Sequence, residues 1–203
     1  MNHLAHALLA SHDDRAIVGA LLSDFIKGDG PRAYSPPVRD EILLHRHVDV
    51  FTDAHPAVRA AIATCFPPQR RRFAGIALDV HFDHLLARGW ARHGNGGALL
   101  PFTHRVYDAL DAFDEPKPPA LALLAQRWRQ HDGLAAYHDP DSVRFALDRL
   151  AGRLSRGGEH LRATHADLQA HAGALQAAFE QLWPDLRAWV MRQRVSSTPS
   201  TPA

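Results

Sequence analysis

Hydrophobic positions in this chain recur at spacings of three and four, the period of an amphipathic helix, and alternating strand patterns are absent. Ile17, Leu21, Leu22 and Phe25 form one such stripe, within a helix expected from about Arg15 to Lys27 and ended by Gly28, Gly30 and Pro31. A short helix over about residues 2–11 precedes it. Pro36 and Pro37 introduce a helix from about Val38 to Thr52. Pro56 suits the first turn of another, capped from the Asp53–His55 region and closed by Pro67 and Pro68. A long helix is expected from about Gln69 to Arg92, and Gly94, Gly96 and Gly97 mark the loop after it. Helices over about 101–113, 119–131, 141–156 and 159–181 follow, the third opened by Asp139-Pro140-Asp141-Ser142. A last segment over about 184–193 starts at Pro184. The polar, proline-rich tail over 195–203 is expected to be disordered. The pattern therefore predicts an all-α fold, a single-domain helical bundle over residues 1–194.

Composition narrows the class. The chain has 203 residues, 46% of them hydrophobic, enough for one sizeable core. No apolar run approaches the roughly 18 residues of a membrane span, so a soluble protein without a membrane partner is expected. The N-terminus MNHLAHALLASHDD lacks the basic start and cleavage site of a secretory signal. The single cysteine, Cys65, fits the reducing cytoplasm and reads as a small buried hydrophobe. A net charge of +1 gives no global signal for nucleic acid. Basic residues cluster at Arg70, Arg71 and Arg72, either as a solvated helix turn or as a docking patch for an acidic partner. Most Asp/His pairings fall in the first 92 residues, and the alanine- and leucine-rich helices beyond read as scaffold.

The chain carries 15 histidines, and their placement beside carboxylates is the informative feature. In LLHRHVDVFTDAHP, residues 43–56, His45 and Asp49 are four apart and share a helical face, which Asp53 continues. Such a pair can close on one divalent ion, or can form an ion pair on a solvated face. In ALDVHFDHLLARGW, residues 77–90, Asp79 and Asp83 repel each other on one face among apolar neighbours, which calls for a cation or proton between them. His84 turns about 100° away and could serve a second ion or a phosphate, while His81 reads as a surface residue. Asp24 is a lone carboxylate within the apolar stretch GALLSDFIKG. His3 and His6 share a face, and either could reach a site or sit satisfied in the core. Without cysteine ligands, an oxygen- and imidazole-rich set favours Mn, Mg or Fe(II), with zinc possible. Such ions activate water and polarise phosphoryl oxygens. No Walker-type loop, Gly-x-Ser-x-Gly elbow or Cys/His nucleophile arrangement is present.

Four segments in order, MNHLAHALLA, GALLSDFIKG, HRHVDVFTDAHP and LDVHFDHLLARGW, give the chain a resemblance to acyl carrier protein phosphodiesterases. The resemblance covers nearly the whole chain and is strongest over about residues 1–92. It implies an all-helical fold, distantly and atypically related to HD-domain metal phosphohydrolases. It implies hydrolysis of the phosphodiester joining 4′-phosphopantetheine to a serine of holo acyl carrier protein, with a divalent ion, manganese favoured. The matching positions are His6, Asp24, His45, Arg46, Asp49, Asp53, Asp79, Asp83 and His84. On this reading Asp24, His45, Asp79 and Asp83, with His84 a further candidate, hold the metal, and Asp24 is essential. Asp49 or His84 orients or deprotonates water, and Arg46 offsets phosphodiester charge. Arg70, Arg71, Arg72, Lys27 and Arg32 would steer the acidic carrier protein. His3 departs from the family pattern and is left out of the site. The order Asp83-His84 also reverses the usual HD dyad, which leaves the division between ligand, base and phosphate contact open. Two rivals keep the same residues: another metal phosphohydrolase acting on a nucleotide or small phosphoester, and a non-enzymatic helical binding module.

Overall fold

The computed structural model describes residues 1–197, and among them there is no strand. Helices run α1 His3–Leu9, α2 Asp14–Leu22, α3 Pro36–Ala54, α4 Pro56–Cys65, α5 Arg71–Arg88, α6 Trp90–His93, α7 Leu99–Ala112, α8 Pro119–His131, α9 Asp141–Ala151, α10 Gly158–Ala170 and α11 Ala172–Ser197. Short 3-10 turns lie at Ser23–Phe25, Gly30–Ala33 and Ala135–His138. The all-helical reading holds. No helix among the described residues is long and apolar enough to cross a membrane. Cys65 is a buried free thiol.

Several expected boundaries move: the helix expected to reach Lys27 ends at Leu22, and the one expected over 141–156 ends at Ala151. The helix expected to run to Arg92 stops at Arg88, because Gly89 lets the chain turn tightly before α6; a Cβ there would lie 2.5 Å from His93 Cδ2. The run expected over 159–181 breaks at His171, just before Gly173, into α10 and α11. Pro184 does not start a helix but sits inside α11. An interior proline costs about 3 kcal/mol. Burial of Phe179, Leu182, Trp183, Leu186 and Val190 from the same helix outweighs it. Helix also covers residues 195–197, the start of the tail expected to be disordered, and the rest of that tail lies outside the described residues.

The functional half is arranged around α1, α2, α3 and α5. The Asp13 side chain caps α2, accepting from the Ala16 amide at 3.1 Å. Pro36 and Pro37 open α3 with φ already set. α2 packs along α3, and Gly19 is what lets them approach: a Cβ there would meet the Val38 carbonyl oxygen at 2.6 Å. α1 lies across α2 and α5 with Leu4, Ala5, Ala7 and Leu8 buried. The long α11 closes the far side against α3 and α4.

A candidate metal centre between three helices

His45 is the centre of the arrangement. The tight α2–α3 contact puts the Ala20 carbonyl 2.6 Å from His45 Nδ1, which donates to it and so turns Nε2 outward. Two carboxylates face that nitrogen: Asp49 Oδ2 at 3.3 Å, one turn on along α3, and Asp24 Oδ1 at 3.4 Å, from the 3-10 turn that ends α2. Ser23, which donates to the Ile42 carbonyl at 3.1 Å, fastens that turn to α3. Burial alone would lower the basicity of His45, but the Asp24 and Asp49 carboxylates facing its Nε2 lift it to about 9. The same contacts hold Asp24 down at about 2 and Asp49 well below the usual carboxylate range, against the effect of burial.

α1 supplies two more imidazoles. His6 stacks on His45 with ring centroids 3.5 Å apart, and its Nε2 lies 3.1 Å from Asp49 Oδ1. Burial and then the neighbouring His45 charge push His6 down to about 3, so the stacked pair carries one proton between them. His3, one turn earlier on the same face, places Nδ1 3.4 Å from Asp24 Oδ2, and that buried nitrogen has no hydrogen-bond partner. His6 is thus part of the cluster, and His3, left out on the family pattern, stands beside it. Its three-residue spacing from His6 was the signal that marked it.

The donor set fits a divalent ion. His6 Nε2, His45 Nε2 and a carboxylate oxygen of Asp49 lie within 4.8 Å of one another. Atoms that each bind an ion at about 2.0–2.2 Å sit about 3.0–3.5 Å apart, the separation seen around His45 Nε2, which is longer than a charge-assisted hydrogen bond. Asp24 and Asp49 keep 45% and 42% of their side-chain surface exposed, so an ion can reach them from solvent. The way in is a pocket of about 490 Å³ whose lining includes His3, Asp24, Asp49 and Asp79.

The second expected ligand pair is employed differently. Asp83 is fully buried, and its Oδ2 and Oδ1 accept the α1 amides of Leu4 at 2.7 Å and Ala5 at 3.1 Å. It caps α1 from a distant helix, with both oxygens committed. Asp79 Oδ1 accepts from the Met1 ammonium at 2.6 Å, at the pocket wall. The positive charge that the Asp79/Asp83 face called for is therefore the start of α1. His84 lies apart from the cluster: its Nδ1 donates to the Tyr137 carbonyl at 2.7 Å, and the charges acting on it are Arg88, His138 and Asp139. His81, expected at the surface, is buried with Nε2 unpartnered.

The expected cations also shift. Arg46 donates to the Ile26 carbonyl at 2.8 Å, tying α3 to the segment after Asp24. Arg70 makes two 2.7 Å bonds to Asp167 on α10. Arg71 caps the end of α4 through the Ala63 and Phe66 carbonyls, and Arg72 lies over the Phe73 ring. Each arginine of the run thus has a local contact, and Arg71 and Arg72 remain exposed. Lys27 and Arg32 are exposed, Arg32 with Asp29 3.9 Å away. Asp53, exposed at the end of α3, faces Asp79 only as a like charge.

A family model described as acyl carrier protein phosphodiesterase matches residues 1–186. Among curated proteins, the acyl carrier protein phosphodiesterase of Enterobacter sp. (strain 638) is 35% identical over 184 residues, 91% of this chain and 94% of that protein. The enzyme of the same name from Salmonella agona (strain SL483) is 34% identical over 193 residues, 95% of this chain and 99% of that protein. No solved structure matches the chain. With the family model matching most of the chain and the likeness running through nearly the full length of these relatives, this chain belongs to the acyl carrier protein phosphodiesterase family of hydrolases.

Proposed function

We propose that the protein hydrolyses, with a divalent ion, the phosphodiester joining 4′-phosphopantetheine to a serine of holo acyl carrier protein, releasing apo carrier protein and 4′-phosphopantetheine. The observation that carries the reading is the convergence of His6 and His45 on Asp49 and Asp24, two carboxylates that line an open pocket, in a chain of this family. His45, His6, Asp49 and Asp24 would hold the ion, manganese first, with magnesium or iron(II) as alternatives. An ion held there supplies Lewis acidity to the phosphoryl group and acidifies water. The Ala20 carbonyl fixes the His45 tautomer, so Nε2 faces the ion site whether or not substrate is present. His3 is the base: burial keeps its ring unprotonated, and the partly exposed imidazole lines the pocket, where it would take a proton from the attacking water. Asp79 shapes the same wall while bonded to the Met1 ammonium.

The kinship with HD phosphohydrolases belongs to the same proposal. It rests on helices that offer His and Asp to one ion, not on Asp83-His84, which lies outside the cluster. A single domain over residues 1–194 and a cytoplasmic location, where a carrier protein of fatty acid synthesis would be met, are part of the reading too. Incubation of purified protein with holo carrier protein and manganese tests it. The expected result is carrier protein lighter by one phosphopantetheine. Intact holo carrier protein after incubation with folded, manganese-loaded enzyme would overturn the reading. Turnover of small phosphoesters alone would favour the rival phosphohydrolase.

A further inference from the structure

The pocket that opens onto the cluster has a second wall with a different character. Leu123, Leu124 and Arg127 come from α8, and Leu150 and Arg153 from the end of α9 and the turn after it. Spacings of three and four place each arginine on the same face as its leucines, so the wall combines apolar surface with two guanidiniums. Both arginines are exposed, and neither has a carboxylate or carbonyl partner among the described residues. Other arginines are engaged by carboxylates, Arg70 by Asp167, Arg105 by Asp14, Arg129 by Asp108 and Asp111 and Arg194 by Glu41, while Arg127 and Arg153 line the pocket with their charge unspent.

Charge across the pocket explains why two unengaged guanidiniums would stand there. The opposite wall carries Asp24, Asp49 and Asp79, and the Met1 ammonium offsets Asp79. One divalent ion balances the other two carboxylates and leaves no surplus positive charge. A phosphodiester is an anion, and such a wall gives it little attraction. Two arginines facing that wall supply the missing charge in the planar, two-pronged form that phosphate oxygens accept. Arg46, the sequence candidate for this task, is bonded to the Ile26 carbonyl.

We infer that Arg127 and Arg153 form an anion clamp that holds the phosphodiester group of the substrate against the His6/His45/Asp49/Asp24 cluster. This deepens the proposed reaction and rests on it for the identity of the substrate, but the clamp itself is testable without turnover. The probe is diethyl phosphate, a phosphodiester monoanion that the enzyme need not cleave, titrated into magnesium-loaded protein and followed by 31P NMR. In R127Q/R153Q, diethyl phosphate binding should weaken by about tenfold or more, with helical circular dichroism and manganese affinity unchanged. Arg127→Lys should recover part of the loss, since it keeps the charge and loses the two-pronged geometry. The value of kcat/KM should fall by about a hundredfold, both for holo carrier protein and for bis(4-nitrophenyl) phosphate.

Equal diethyl phosphate binding by wild type and the double variant, or no binding by wild type, would overturn the clamp. A loss confined to the carrier protein reaction would also overturn it, because the arginines would then be contacting the protein surface. Clamp-dependent diethyl phosphate binding in an enzyme that leaves holo carrier protein intact would keep the clamp and remove the carrier protein reading instead.

Discussion

His45/Asp49 on α3 and Asp79/Asp83 on α5 share the same spacing, each two chemistry-bearing side chains one turn apart, yet their surroundings give them opposite work. On α3, the Ala20 carbonyl holds His45 Nδ1, and that bond aims Nε2 at Asp49 and Asp24, with His6 stacked alongside and bonded to Asp49. On α5, the carboxylates meet the start of α1, which satisfies them: two amides for Asp83 and an ammonium for Asp79. A ligand set needs donors left facing one another, whereas a helix cap needs them used up. Spacing alone does not distinguish the two; what packs against the face does.

The largest expected effect breaks the α3 side. His45→Ala should remove stoichiometric manganese binding and lower turnover by about a thousandfold or more, measured by calorimetric titration and by carrier protein mass. His3→Gln should cut kcat by about a hundredfold while manganese affinity holds, as expected of a base rather than a ligand. The α5 side should behave oppositely. Asp83→Ala orphans two buried α1 amides and should cost about 2–5 kcal/mol in urea unfolding, while the folded fraction still binds manganese.

A pH series sharpens the same contrast. Burial, opposed by the Leu4 and Ala5 amides, raises Asp83 to about 7 in the fold. Between its unfolded value and 7 the native state holds a proton that the unfolded chain has released, so stability should fall as pH rises through that window. Asp83→Asn should flatten this part of the curve. The smallest effect belongs to the arginine run. Arg70→Ala should cost about 1 kcal/mol through its largely buried pair with Asp167 and leave KM for carrier protein unchanged.

Helices were legible because apolar spacing is a local property, and most starts were marked by Pro or Asp at the first turn. Pro184 misled because tertiary burial of Trp183 and Leu186 overrode a local breaker. At the site, His45, Asp49 and Asp24 could be found from pattern and resemblance together. Asp83 and His84 could not be assigned, since their fates depend on α1 and on the Tyr137 carbonyl, 79 and 53 residues away in sequence. His3 shared a face with His6 in plain view, but nothing local showed that this face would meet Asp24. Arg127 and Arg153 belong to helices that read as scaffold, and only the fold brings them across from the carboxylates.

Anomalous diffraction at the manganese edge from crystals of the manganese-loaded protein separates the two faces in a single experiment. The peak should lie among His45 Nε2, His6 Nε2, Asp49 and Asp24, with Asp83 still bonded to the α1 amides. A peak held by Asp79, Asp83 or His84, with the His45 cluster empty, would contradict the assignment of the metal centre.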